Sequence, residues 1–118
     1  MIIPMIETRE AAADIENILA IDGLEAIFLG PADMSATYGH LGEWEGEGVA
    51  QLNLDILEKA AARGIATGVV GTSIDDARQR QQQGFKMIAL GSDAGLLIRS
   101  LQQGLSALGR DTKPHLWF

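Results

Sequence analysis

Gly23-Leu24-Glu25-Ala26-Ile27-Phe28-Leu29-Gly30-Pro31-Ala32-Asp33-Met34-Ser35 decides the fold of this chain. An apolar run lies between two glycines seven positions apart, and a turn carrying an acidic residue follows it. The same frame returns as Gly64-Ile65-Ala66-Thr67-Gly68-Val69-Val70-Gly71 and as Gly84-Phe85-Lys86-Met87-Ile88-Ala89-Leu90-Gly91. In each copy the first glycine follows a helix-like segment, where a left-handed C′ position suits a residue without Cβ, and the second ends the strand. Residues 2–6 add a fourth strand ahead of the first copy. Pro4 fits this strand if the ladder starts at Met5, because proline brings no N–H to a central strand.

The intervening segments read as helices over residues 9–20, 51–63 and 94–108, with a further one starting after Thr72 or Ser73. Thr8 is the expected N-cap of the first, and Asp75 and Asp76 sit near the positive end of the third in chain order. Leu52, Ile56, Leu57 and Ala60 form a stripe of helical period. The amide-rich run Gln79 to Gln83 falls where a solvated helix face is expected. Strands that are apolar with little alternation, each followed by a helix, pair in parallel beneath a helical layer, so the class is α/β. No Gly-x-Gly-x-x-Gly fingerprint is present, and polar residues stand at nearly every strand end, which favours a (β/α)8 barrel over a dinucleotide fold. A whole barrel needs roughly 200 residues or more. The 118 residues here make four parallel βα units, about half of a TIM barrel. Residues 1–109 are assigned to this partial barrel and 110–118 to a tail. The rest of the barrel is expected from another polypeptide, or is lost by truncation, or is missing from the gene as delimited.

The formal charge of −7, from 9 basic and 16 acidic residues, argues against nucleic acid or an anionic membrane as partner, since no excess of Lys and Arg exists to displace counterions. No run approaches the ~18 apolar residues that span a bilayer, and Met1-Ile2-Ile3-Pro4 lacks a basic n-region. Without cysteine there is no disulfide, thiolate nucleophile or Cys-ligated zinc, and a cytoplasmic location fits.

Glu7 and Asp33 each stand where an apolar run gives way to a helix start. If the two runs are neighbouring strands, both carboxylates reach the same sheet edge and can share one divalent cation while leaving positions for a substrate. As hard oxygen donors they suit Mg²⁺ or Mn²⁺, with Co²⁺ a further candidate. The purely structural alternatives are that Asp33 caps a helix or turn beginning near Ser35, and that Glu7 supports the helix after Thr8. The turn Gly30-Pro31-Ala32-Asp33 would also expose consecutive N–H groups to an anion, with Ala32 and Asp33 as donors because Pro31 has none. A cation beside an anion-binding turn suits a 2-oxo acid, whose enolate a metal stabilises when a neighbouring C–C bond breaks or forms.

Pro4-Met5-Ile6-Glu7-Thr8-Arg9-Glu10-Ala11 and Gly30-Pro31-Ala32-Asp33-Met34-Ser35 resemble the strand-5 and strand-6 motifs of the HpcH/HpaI class II aldolases, relatives of citrate lyase β-subunits and macrophomate synthase. The resemblance runs from about residue 2 to about residue 108, including residues 65–70 and Ala89-Leu90-Gly91-Ser92-Asp93. It implies that Glu7 and Asp33 are metal ligands, that Ala32 and Asp33 offer backbone N–H groups to the pyruvate carboxylate, and that Gly30 and Pro31 shape the same turn. It further implies a lyase that reversibly cleaves 4-hydroxy-2-oxo or 2-keto-3-deoxy acids to pyruvate and an aldehyde. A homo-oligomer, typically a hexamer exchanging its C-terminal helix, or pairing with an N-terminal half, is implied as well. The family's catalytic histidine with its acidic partner, and its substrate arginine, come from the first half of the barrel, so the acid–base residues are not among these. Several members carry Gln where Met5 stands.

His40 and His115 do not match the absent base. His40 either lines the mouth of the site from the loop 38–48 or is a solvated side chain, and Trp44 either covers a substrate or anchors that loop. The tail containing His115 either docks on another subunit or is a remnant. Asp93 and Ser92 are read as candidate caps of the last helix. Two rival readings accompany the aldolase: a non-catalytic cation and oxo-acid binding or assembly fragment, and a citrate lyase β-like acyl-CoA lyase, disfavoured by the lack of a basic cluster for CoA phosphates.

Overall fold

The computed structural model describes residues 1–43 and 46–110; Trp44, His115 and the tail beyond residue 110 lie outside the described residues. Four strands, β1 (Met5–Ile6), β2 (Ala26–Leu29), β3 (Ala66–Val70) and β4 (Met87–Ala89), form one parallel sheet in the order β1-β2-β3-β4. The connecting helices are α1 (Arg9–Ala13), α2 (Ile15–Ile18), α3 (Pro31–Thr37), α4 (Val49–Ala62), α5 (Ile74–Gln83) and α6 (Asp93–Ala107). The bracketing glycines behave as expected, with Gly23, Gly64 and Gly84 at φ of 79°, 72° and 109° after their helical segments. At Pro4 only the carbonyl enters the ladder, accepting from the Phe28 N–H at 2.9 Å, so the missing N–H costs nothing.

The first helix differs from expectation. Residues 9–20 form two short helices rather than one, with the break at Asp14 (φ −94°, ψ 13°), whose carboxylate accepts from the Asn17 side chain. The Asp14–Asn17 contact joins two side chains and caps no backbone N–H of α2. Helical phase survives the break, since Ala12, Ile15 and Leu19 are all buried. Thr8 caps α1 as read, accepting from the Ala11 N–H at 3.1 Å. Of the other candidate caps, Ser73 serves α5 and Ser92 serves α6, through N–H groups of Asp76 and Gly95. Asp93 is the first residue of α6 rather than its cap. Asp76 returns a carboxylate oxygen to the Thr72 N–H at 2.8 Å, a reciprocal capping arrangement.

Strand alternation sorts the side chains onto two faces. Ile6, Ile27, Leu29 and Val69 point into the core and meet Ala12, Ile15, Met34, Val49, Ile56 and Ala60 of the helices. The opposite face carries a row in register, Met5, Phe28, Gly68 and Met87, which no described helix covers. One step toward the carboxyl ends of the strands, the same face continues with Glu7, Gly30, Val70 and Ala89. One covered and one open apolar face is what half of a closed barrel presents, the open face being the barrel interior. Among helices, α6 leaves Leu97, Leu101, Leu105 and Leu108 exposed along one side.

Gly68 exists for close approach. A Cβ there would lie 2.5 Å from Phe28 Cδ2 and 3.1 Å from Met87 Cβ. Gly68→Ala is expected to destabilise the chain by about 1–3 kcal/mol, the usual cost of overpacking, as read by the midpoint of denaturant unfolding. A Phe28→Ala companion should remove most of that penalty.

Candidate functional site

The registers Met5 with Phe28 and Ile6 with Leu29 put Glu7 beside Gly30, and the Gly30 N–H donates to the Ile6 carbonyl at 3.0 Å. Glu7 is half-buried, and its side chain lies over Gly30. A Cβ on Gly30 would meet Glu7 Cβ at 2.8 Å and Glu7 Oε2 at 3.0 Å, with Met5 Sδ at 3.4 Å. The absence of a side chain at Gly30 is therefore what makes room for the Glu7 carboxylate. Met5 places its thioether sulfur at the same spot.

α3 starts four residues earlier than the turn expected near Ser35. Gly30 is its N-cap and Pro31 its first residue, a position where a missing N–H loses nothing and the fixed φ is helical. Asp33 is thus a first-turn residue and not the cap. The N–H groups of Ala32 and Asp33 belong to that first turn, which has no intrahelical acceptors. Pro31, Met34 and Ser35 are buried, while Asp33 is exposed.

Two contacts hold this unit from its far end. Ser35, wholly buried, donates from Oγ to the Ala32 carbonyl at 2.6 Å and accepts from the Gly42 N–H at 3.1 Å, and its own carbonyl accepts from the His40 N–H at 2.8 Å. The loop after α3 is thereby tied to the helix. Thr37 accepts from the Arg9 N–H at 3.2 Å, and the Arg9 guanidinium carbon lies 4.5 Å from the centre of the Tyr38 ring. Asp33 and Thr37 stand four residues apart and share a helix face. Through Thr37 that face meets the start of α1 at Arg9, two residues after Glu7. Neither Ser35 nor the Arg9 contacts could be read from sequence, since Arg9 and Thr37 are 28 positions apart.

His40 is partly buried, with Nδ1 3.8 Å from a Glu43 carboxylate oxygen. Among the described residues no group of three or more His, Cys, Asp or Glu side chains is placed to hold a metal ion. A cation here would thus draw at most two such ligands from them, Glu7 and Asp33. That number fits Mg²⁺ or Mn²⁺, which are commonly held by one or two carboxylates and complete their shells with water and substrate oxygens. The Glu7 carboxylate, seated over Gly30, is a hard oxygen donor of the kind such a cation takes. No helix of the described residues is long and apolar enough to cross a membrane.

Known proteins resemble this chain over most of its length. The hydroxypyruvate/pyruvate aldolase of Paraburkholderia phytofirmans is 34% identical over 103 residues, which are 87% of this chain and 40% of that protein. The 5-keto-4-deoxy-D-glucarate aldolase of an Enterobacter species is 35% identical over 105 residues, 89% of this chain and 41% of that protein. Among solved structures, citrate synthase SbnG superposes with a TM-score of 0.84 at 29% identity, covering 92% of this chain and 44% of that one. An HpcH/HpaI aldolase/citrate lyase family protein from Burkholderia cenocepacia gives 0.83 at 28% identity, covering 89% and 41%. The chain spans about two fifths of the length of the curated relatives it matches. Its four βα units are thus a part of the relatives' larger fold, and the family model for HpcH/HpaI aldolase/citrate lyase matches residues 1–100. The chain belongs to the HpcH/HpaI aldolase/citrate lyase family.

Proposed function

We propose that this chain supplies the cation-binding and oxo-acid-binding half of a divalent-metal-dependent aldolase acting on 4-hydroxy-2-oxo or 2-keto-3-deoxy acids. The observation that carries the reading is the Glu7 carboxylate lying over Gly30 beside the first turn of α3, in a chain whose relatives are named as aldolases of such acids. In this reading Glu7 and Asp33 hold Mg²⁺ or Mn²⁺, and the N–H groups of Ala32 and Asp33 receive the carboxylate of pyruvate, with Gly30 and Pro31 fixing the turn. The bound cation would supply the charge that stabilises an enolate next to the keto group. The residues themselves orient the substrate: a donor pair on one side and two carboxylates on the other define which way a 2-oxo acid can enter. The open row Met5, Phe28, Gly68 and Met87 is apolar and, once the barrel is closed, would exclude water beneath that substrate.

Cleavage requires the C4 hydroxyl to give its proton to a base as the aldehyde carbonyl forms, and the contacts proposed for these residues do not include that base. The acid–base group is assigned to the complementary N-terminal half, whether covalently continuous or a separate partner. The leucine side of α6 suits a contact between subunits. Isothermal titration of the full chain with Mn²⁺, with and without pyruvate, tests the site. Saturable Mn²⁺ binding that pyruvate tightens is expected, together with little or no pyruvate release from a 4-hydroxy-2-oxo acid by the chain alone. Absence of Mn²⁺ binding refutes the reading. Rapid turnover by the isolated chain refutes the assignment of the acid–base group to the other half.

A further inference from the structure

We propose that Arg9 is a positioning residue for the cation site, holding the Asp33 face of α3 toward Glu7 by a two-point clasp on Thr37 and Tyr38. The inference rests on the reading of Glu7 and Asp33 given above. The two carboxylates come from different elements, and nothing in the β1–β2 ladder sets the rotation of α3 about its own axis. Its N-terminal end is fixed by the Gly30 N–H bond to Ile6, and buried Pro31, Met34 and Ser35 seat its inner side. Arg9 adds a contact at its outer, C-terminal end. Its backbone N–H reaches Thr37 Oγ1 at 3.2 Å while Thr37 Oγ1 donates to the Met34 carbonyl at 2.8 Å, and its guanidinium stacks on the Tyr38 ring at 4.5 Å.

Arg9 lies two residues after Glu7, and Thr37 lies one helical turn after Asp33 on the same face. Each end of the clasp is therefore tied at short range to one of the two carboxylates, so a change in the clasp changes their separation. Ligand geometry at a metal is sensitive to supports of this kind, whose loss typically lowers affinity by ~10–100-fold. Stacking also keeps a fixed positive charge over the ring, where the quadrupole attracts it, and not beside the carboxylates.

The sign of the effect separates positioning from simple electrostatics. Removing a positive charge near a cation site would by itself raise affinity for Mn²⁺. Arg9→Ala is instead expected to weaken Mn²⁺ binding by roughly tenfold, measured by titration of the full chain. Tyr38→Phe keeps the ring face and should bind as the wild type, whereas Tyr38→Leu should reproduce Arg9→Ala. The double variant Arg9→Ala with Tyr38→Leu should be no worse than either alone, as expected for two halves of one contact. The EPR spectrum of bound Mn²⁺ should broaden in Arg9→Ala and Tyr38→Leu and stay unchanged in Tyr38→Phe. Hydrogen exchange at residues 36–39 supplies a readout without metal and should quicken in the same two variants.

Unchanged or tighter Mn²⁺ binding by Arg9→Ala, where Glu7→Gln abolishes binding, overturns the clasp and leaves the cation site standing. Equal losses in Tyr38→Phe and Tyr38→Leu also overturn it, because the ring would then act through its hydroxyl or by packing. A wild-type chain that binds no Mn²⁺ overturns the clasp and the cation site together.

Discussion

Glu7→Gln should lower the affinity of the full chain for Mn²⁺ by on the order of 100-fold or more while leaving its unfolding midpoint nearly unchanged. The first part follows from ligand count. With at most two acidic side chains available to a cation among the described residues, losing one removes half of the anionic charge the protein offers, and an amide oxygen coordinates a hard cation far less well than a carboxylate. Loss of supporting contacts alone commonly costs ~10–100-fold in metal affinity, so loss of a ligand should cost at least as much. The second part follows from the surroundings. Glu7 follows the last residue of β1 and is half-buried on the open face. Gln keeps its shape over Gly30, so stability should move by no more than about 0.5 kcal/mol, as for ordinary surface substitutions. Titration calorimetry and a denaturant melt on the same sample separate the two. Equal Mn²⁺ affinity in Glu7→Gln and wild type would remove Glu7 from the ligand set.

Much of this was legible in the sequence, for a physical reason. A parallel strand buried between helix and barrel interior needs an apolar run, and a short αβ connection needs a residue tolerant of positive φ. The seven-residue glycine brackets record both demands at 23–30, 64–71 and 84–91, and the observed strands fall inside them. The adjacency of Glu7 and Gly30 follows from pairing β1 with β2, which chain order alone suggests for sequential βα units. Three things were not legible. The start of α3 at Pro31 was obscured because Gly30-Pro31 reads equally as a turn or as an N-cap and first helical residue, and burial of Met34 and Ser35 decides between them. The break at Asp14 leaves the apolar periodicity of residues 12–19 intact, so periodicity does not register it. The clasp of Arg9 on Thr37 and Tyr38 joins segments far apart in sequence, and no local pattern specifies it.

Gly30→Ala should damage both the fold and the cation site, and its two effects should be separable. The backbone at Gly30, φ −105° and ψ 77°, has a negative φ, so left-handed strain is no part of the cost. The cost lies in contact: the new methyl would stand 2.8 Å from Glu7 Cβ and 3.0 Å from Glu7 Oε2. The carboxylate oxygen can swing away by a rotamer change, but Glu7 Cβ is fixed by the backbone of the neighbouring strand. Relief therefore requires β1 and β2 to part by several tenths of an ångström at the Gly30 N–H to Ile6 carbonyl bond, now 3.0 Å. A penalty of about 1–3 kcal/mol in unfolding free energy is expected, in the range of overpacking in a well-fitted site. Displacement of the Glu7 carboxylate should also weaken Mn²⁺ binding by roughly tenfold or more. A second substitution tells whether Glu7 is the obstacle. In a Glu7→Gly background the offending Cβ is gone, and adding Gly30→Ala should then cost much less stability than it does in the wild type. If the penalty persists undiminished there, the glycine is required for something other than room for Glu7, and the proximity of the two residues does not make the site.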